Sequence, residues 1–129
     1  MILIKNFYID TSKGVDLIKI GHEVRQVVTE AKADNGIVTI MTPLGGAAVA
    51  VMEPDINVEE IKKGLEPLLA NQLIRCLIPR SLSIPIDKGR MMIEPWQEIF
   101  LVNFESSGKR REFRVHLFTE KAEKKEGGM

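Results

Sequence analysis

One cysteine, two histidines, no excess of either charge and no long apolar run bound this 129-residue chain before any motif is read. Cys76 has no second cysteine to pair with, so no internal disulfide can form, and a reducing, cytoplasmic setting is expected. The 18 basic and 18 acidic side chains cancel, which argues against a general binder of nucleic acid or of membrane surfaces. No apolar stretch approaches the ~18 residues of a membrane-spanning helix. The opening MILIKNFYID has neither a basic n-region nor a cleavage site, and is expected to open the mature protein as a strand. Imidazole is the usual metal ligand and acid–base group near neutral pH. Only His22, on a polar helix face, and His116, on a late strand, carry an imidazole, and no cofactor can be named.

What is present is an ordinary complement of apolar residues, enough for one domain over residues 1–118 that buries about two-thirds of its unfolded surface. The charged end, residues 119–129, reads as a disordered tail. Ile2–Ile9 reads as a strand and Asp10–Gly14 as a turn. Asp16 is placed to cap a helix whose apolar residues Leu17, Ile20, Val24, Val27, Val28 and Ala31 fall on one stripe. His22 lies opposite that stripe, and Asp34-Asn35-Gly36 is suited to end the helix in left-handed geometry. Asn57 opens a second helix with Glu60 at the capping-box position, and Pro67 is expected to kink or split it. Leu73–Ile78 fits either a helix or a strand. Ser81–Ile86 and Met91–Ile93 read as a hairpin across Asp87–Arg90. Gln97–Phe104 and Glu112–Phe118 read as a second hairpin, the last strand alternating with one buried face. The order β–α–β–β–α–β–β–β–β implies an α+β domain, two helices against a mostly antiparallel sheet.

The stretch Gly36–Asp55 organises the rest. Two runs rich in β-branched and small apolar residues, Ile37–Met41 and Ala47–Met52, read as buried strands around Thr-Pro-Leu-Gly-Gly, and Glu53 follows the second. Gly45 and Gly46 permit positive φ or close backbone approach.

Three segments together resemble the YjbQ-like family, small proteins often labelled secondary thiamine-phosphate synthases. They are Asn35-Gly36 leading to Glu53-Pro54-Asp55, then Ile84–Gly89, then Trp96–Leu101 with Gly108–Arg111. The likeness runs from about Thr11 to Phe118. It implies a compact α+β fold that forms homotrimers, and an activity joining a pyrimidine pyrophosphate to a thiazole phosphate. The sequence departs from the family where chemistry is expected. Leu44-Gly45-Gly46 stands for a His-Thr-Thr or His-Thr-Ser run, Met52-Glu53 for Asn-Glu, and no histidine lies between Leu69 and Ser81, so a histidine-based metal site is not expected.

Glu53 is therefore the catalytic candidate, as general base or cation holder; the alternative is a strand-end charge reaching solvent or pairing with Arg90. Gly45 and Gly46 either turn N–H groups to an anion or form a plain tight turn. Arg111, at a basic position of the family, is the leading candidate for phosphate-binding charge. Trp96 and Gln97 carry the strongest part of the resemblance and either wall a ligand pocket or pack an interface. His116 reads as a strand residue at an edge or interface, Cys76 as inert packing, and Met91-Met92 as core or interface filler. Two readings follow: a binder or enzyme for a phosphate-bearing ligand, or a non-catalytic oligomeric scaffold.

Overall fold

The computed structural model describes residues 1–11, 14–43, 45–53, 57–104 and 110–120, except the side chain of Arg75. Among the described residues, eight strands and three helices run in the order β1 (Ile2–Asp10), β2 (Asp16–Lys19), α1 (Gly21–Glu30), β3 (Gly36–Met41), β4 (Ala47–Met52), α2 (Val58–Leu69), α3 (Gln72–Leu77), β5 (Ser81–Asp87), β6 (Arg90–Met91), β7 (Glu98–Asn103) and β8 (Arg110–Thr119). They build two antiparallel sheets. One has five strands, ordered β1-β8-β3-β5-β6, and the other three, ordered β2-β7-β4. The class is α+β, as the element order implies.

The inner faces of the two sheets meet in one core. Phe113, Val115 and Leu117 of β8 lie with Val38 and Ile40 of β3 and Ile84 and Ile86 of β5. Ala47 and Val49 of β4, Ile99 and Leu101 of β7, and the α1 stripe Val24, Val27 and Val28 complete it. The other face of the three-stranded sheet is covered too. Leu17, Ala48, Phe100 and Val102 pack there under Val58, Ile61, Leu65 and Leu69 of α2. Burial on both faces is why β4 and β7 read as continuous apolar runs, while β8 alternates.

The second expected hairpin does not form. Gln97–Phe104 and Glu112–Phe118 fall in different sheets: β7 pairs with β2 and β4, and β8 with β1 and β3. β7 is buried on both faces, between the larger sheet and α2, whereas β8 leaves one face open, and the chain crosses between layers from one to the other. Residues 106–109 of the expected turn lie outside the described residues. The β5–β6 hairpin forms where expected, but Asp87 and Arg90 pair as strand residues rather than loop, and β6 is only Arg90–Met91 instead of Met91–Ile93. Lys88 and Gly89 supply its positive φ, at 53° and 81°.

Asp16 is not a helix cap. It opens β2, whose residues pair with Phe100–Asn103, and its carboxylate meets Lys62 Nζ of α2 at 3.3 Å. Helix α1 begins five residues later and ends at Glu30 with Ala31 as its C-cap, and Lys32, at a φ of 54°, turns the chain away before Asn35. Gly36 has a different duty: a Cβ there would strike the carbonyl of Phe118 on the neighbouring strand. Asn57 does cap α2, its Oδ1 accepting from Glu59 N at 2.9 Å. The helix runs through Pro67 to Leu69 and breaks at Ala70-Asn71, where Asn71 Oδ1 accepts from Leu73 N at 2.8 Å. Residues 73–77 are helical, which makes three helices rather than two, and Cys76 is exposed rather than packed. Thr119 is buried in β8, beyond the expected domain end at residue 118, and residues 121–129 lie outside the described ones.

The Asp16–Lys62 pair ties α2 to the edge of the three-stranded sheet. Partial burial lowers the Lys62 pKa, but the hydrogen bond and attraction from Asp16, with help from Glu59, outweigh it and leave the pKa raised. A raised folded-state pKa contributes stability that is complete below lysine's ordinary ~10.4 and is lost as pH climbs through the higher folded value. Lys62→Met is expected to cost about 0.5–1 kcal/mol at pH 7 by urea denaturation. The gap between wild type and variant should close at strongly alkaline pH, and a gap constant across that range would rule the ion pair out as its cause.

Candidate functional site

Buried polar side chains are few in this core, and two of them touch. Arg111 lies on the inward face of β8 at one end of the sandwich, 4% exposed, and Asn103 ends β7 fully buried. The Arg111 guanidinium donates from Nε to Asn103 Oδ1 at 2.9 Å, from Nη1 to the Gly45 carbonyl at 3.0 Å and from Nη2 to the Gly46 carbonyl at 3.2 Å. Asn103 Nδ2 donates onward to the Gly14 carbonyl at 3.0 Å, and Phe104 N also donates to Gly46 O. One cation thereby joins both sheets, the β3–β4 connection and the turn before β2. The fork geometry of guanidinium suits two adjacent carbonyls, and lysine could not reproduce it.

This clamp decides how the Gly45-Gly46 turn faces. A trans peptide points its N–H opposite to its C=O. With the Gly45 carbonyl held inward, the Gly46 N–H points away from Arg111, and it has no hydrogen-bond partner among the described residues. Gly46 holds φ at 90°, which favours glycine, whereas a Cβ on Gly45 would meet open space.

Glu53, Trp96 and Gln97 sit elsewhere. β4 and β7 pair from Ala47–Asn103 to Met52–Glu98, so one step further brings Glu53 opposite Gln97. The six residues of β4 put that end about 20 Å from the Gly45-Gly46 turn at ~3.3 Å per residue. The sequence candidates thus form two clusters at opposite ends of one strand pair and do not meet within one chain. Glu53 is half-buried, with no ion pair among the described residues, to Arg90 or otherwise. Gln97 Oε1 accepts from Glu94 N at 2.8 Å, and Trp96 is 56% exposed beside it. Gln97 lines a cleft of about 650 Å³ with Arg25, Arg90, Met91, Ile93 and Glu98. His22 is exposed on α1, as its position opposite the stripe implies.

Residues 5–120 match the family described as UPF0047 protein YjbQ-like. The chain belongs to that family. Among solved structures, a YbjQ-like protein of unknown function from Sulfolobus solfataricus is 20% identical, with a TM-score of 0.84 over 93% of this chain and 99% of that one. A hypothetical protein from Aeropyrum pernix is 22% identical, with a TM-score of 0.81 over 92% and 99%. An uncharacterized YjbQ/UPF0047 protein from Clostridium acetobutylicum is 21% identical, with a TM-score of 0.76 over 88% and 99%. At these identities the likeness establishes the fold. No curated protein matches. This YjbQ-family chain has no helix long and apolar enough to cross a membrane among its described residues, and no group of three His, Cys, Asp or Glu there could hold a metal.

Two residues escaped the sequence reading. Asn103 is the one polar side chain at the end of an apolar run, a signal that was available. Glu98 Oε2 accepts from Gly21 N at 2.8 Å and Ile99 N at 3.2 Å, so it caps α1 from across the fold. Nothing local announces that, since the two residues are 77 apart.

Arg111→Met should cost about 3 kcal/mol by leaving Asn103 and two carbonyls without their donor. Arg111→Lys should recover only part of that in chemical denaturation. A fully stable Arg111→Met protein would show that the clamp is not structural.

Proposed function

We propose that this YjbQ-family protein is a cytoplasmic homotrimer that binds a small phosphate-bearing ligand at the junction between copies. There the Gly45-Gly46 turn of one copy faces the Glu53–Gln97 end of the next. The separation of about 20 Å between the two clusters carries this reading: a site using both needs a second chain. The outward Gly46 N–H, with a buried guanidinium behind its peptide, favours an anion at the turn. At the other end Glu53 is half-buried with no ion-pair partner among the described residues, which suits a base or a cation holder. Trp96, more than half exposed, fits a contact between copies. The thiamine-phosphate synthase activity that the resemblance implies is the reaction to assay at such a junction.

The scaffold reading has its own support. Arg111 turns its donors inward to backbone and Asn103, and Leu44-Gly45-Gly46 offers no imidazole at the turn. Thermal shift with inorganic phosphate and thiamine phosphate separates the two readings. The binder reading expects wild type to gain several degrees at ligand well above Kd, as RT ln(1 + [L]/Kd) requires. Glu53→Gln should match wild type without ligand and lose much of the shift with thiamine phosphate. No shift from either compound leaves the scaffold. Light scattering should give three times the 14.5 kDa chain mass.

A further inference from the structure

We propose that the cleft between helix α1 and the segment from Gly89 to Glu98 binds a small organic anion, a carboxylate or a phosphate monoester, whose apolar body lies against Met91, Ile93 and Pro95. The site lies within one chain and uses neither the Gly45-Gly46 turn nor Glu53, so it stands apart from the junction reading above. One wall is Arg25, Val28 and Thr29, spaced i, i+3 and i+4 and therefore on one face of α1. The other is the β5–β6 turn at Gly89 and Arg90 with the chain that leads on to β7. Hydrogen bonds pin these walls to one another. Gly89 N donates to Asp34 O at 2.8 Å, just past α1. Glu98 Oε2 holds the start of α1 through Gly21 N, and Ile20 N donates to Ile99 O at 2.9 Å. Between these ties the segment bonds to itself, Gln97 N to Glu94 O at 2.9 Å and Glu94 N to Gln97 Oε1 at 2.8 Å. The cleft of about 650 Å³ is thus built before a ligand arrives, at a size ordinary for a small-molecule site.

Donors outnumber acceptors in this cleft. A guanidinium carries five N–H groups and accepts nothing. Arg25 and Arg90 both line the cleft, and neither has a hydrogen bond or an ion pair among the described residues. Gln97 gives its amide oxygen to Glu94 N, which leaves its NH2 donors without a partner there. Of the two carboxylates that line the cleft, Glu98 already accepts through Oε2 from Gly21 N and Ile99 N. Glu94 is exposed and pairs with neither arginine. The missing partner is an acceptor with two or three oxygens in fork geometry, which a carboxylate or a phosphate monoester supplies. The bare Cα of Gly21 leaves room for the arrangement, since a Cβ there would collide with Glu98 Oε2 and press on Arg25 Nη1 at 3.2 Å. The apolar half of the cleft sets the rest of the ligand. Val28 is buried and Met91 and Ile93 are half-buried beside these donors. A hydrocarbon body on the anion covers them and leaves water itself, which a bare inorganic anion cannot do.

The test is calorimetric titration of the full chain with phenyl phosphate, benzoate, inorganic phosphate and benzyl alcohol. It is repeated on Arg25→Gln, on Arg90→Gln and on Lys63→Gln, a control that removes one exposed positive charge from α2. Saturable binding of phenyl phosphate or benzoate is expected, and the tighter of the two identifies the anion. Inorganic phosphate should bind about tenfold more weakly than phenyl phosphate, and benzyl alcohol not at all. Each arginine variant should weaken the better ligand about tenfold, as the loss of one charge-assisted pair implies, while Lys63→Gln leaves it unchanged. Both arginines are exposed and hold no other described residue, so circular dichroism should show folded variants. If either fails to fold, Arg25→Lys or Arg90→Lys takes its place, keeping the charge without the fork, and an affinity equal to wild type would overturn the site. No saturable heat with either organic anion overturns the proposal. So does binding that survives both arginine variants, an equal loss in Lys63→Gln, or benzyl alcohol that binds as tightly as the anions. Inorganic phosphate that matches phenyl phosphate overturns the apolar half of the site.

Discussion

A single buried guanidinium holds the two sheets in register at one end. Arg111 comes from the five-stranded sheet and Asn103 from the three-stranded one, and the two glycine carbonyls belong to the chain that passes between them. Desolvating a cation is costly, and only a full set of acceptors makes it tolerable. That requirement fixes the path of the β3–β4 connection. It also fixes which way the Gly45-Gly46 peptide turns its N–H. A residue whose charge suggested ligand binding is thus first a part of the frame, and any anion at the turn would sense it through the backbone.

The second governing constraint is that the three-stranded sheet is buried on both sides. Its strands need small and apolar residues throughout, which Ala47–Met52 and Ile99–Val102 supply. Helix α2 closes one side and the larger sheet the other. The larger sheet is left with an open face. The length of β4, with glycines at one end and Glu53 at the other, sets the spacing of the two candidate clusters. Helix α1 is held at its start by Glu98, a carboxylate at a helix N-terminus brought there by β7.

The core common to both sheets is apolar throughout. Fold likeness at about one-fifth identity is what such a core permits: many apolar combinations fill the same space if pattern and volume are kept.

Period and punctuation alone were enough for the α+β class, the central strands, the Asn57 cap, the β5–β6 hairpin and the exposure of His22. Each rests on interactions within a few residues. The pairing of β7 with β2 and β4 was not legible, because an apolar run says that a strand is buried and not which neighbours bury it. Asp16 misled for the same reason: a good capping residue becomes a strand residue when Lys62 and β7 compete for it. The inward role of Arg111 and the Glu98 cap were decided by tertiary contacts alone. Hydrogen bonds between residues 65 to 77 positions apart leave no periodic trace in a sequence, and only the folded chain brings their donors and acceptors together.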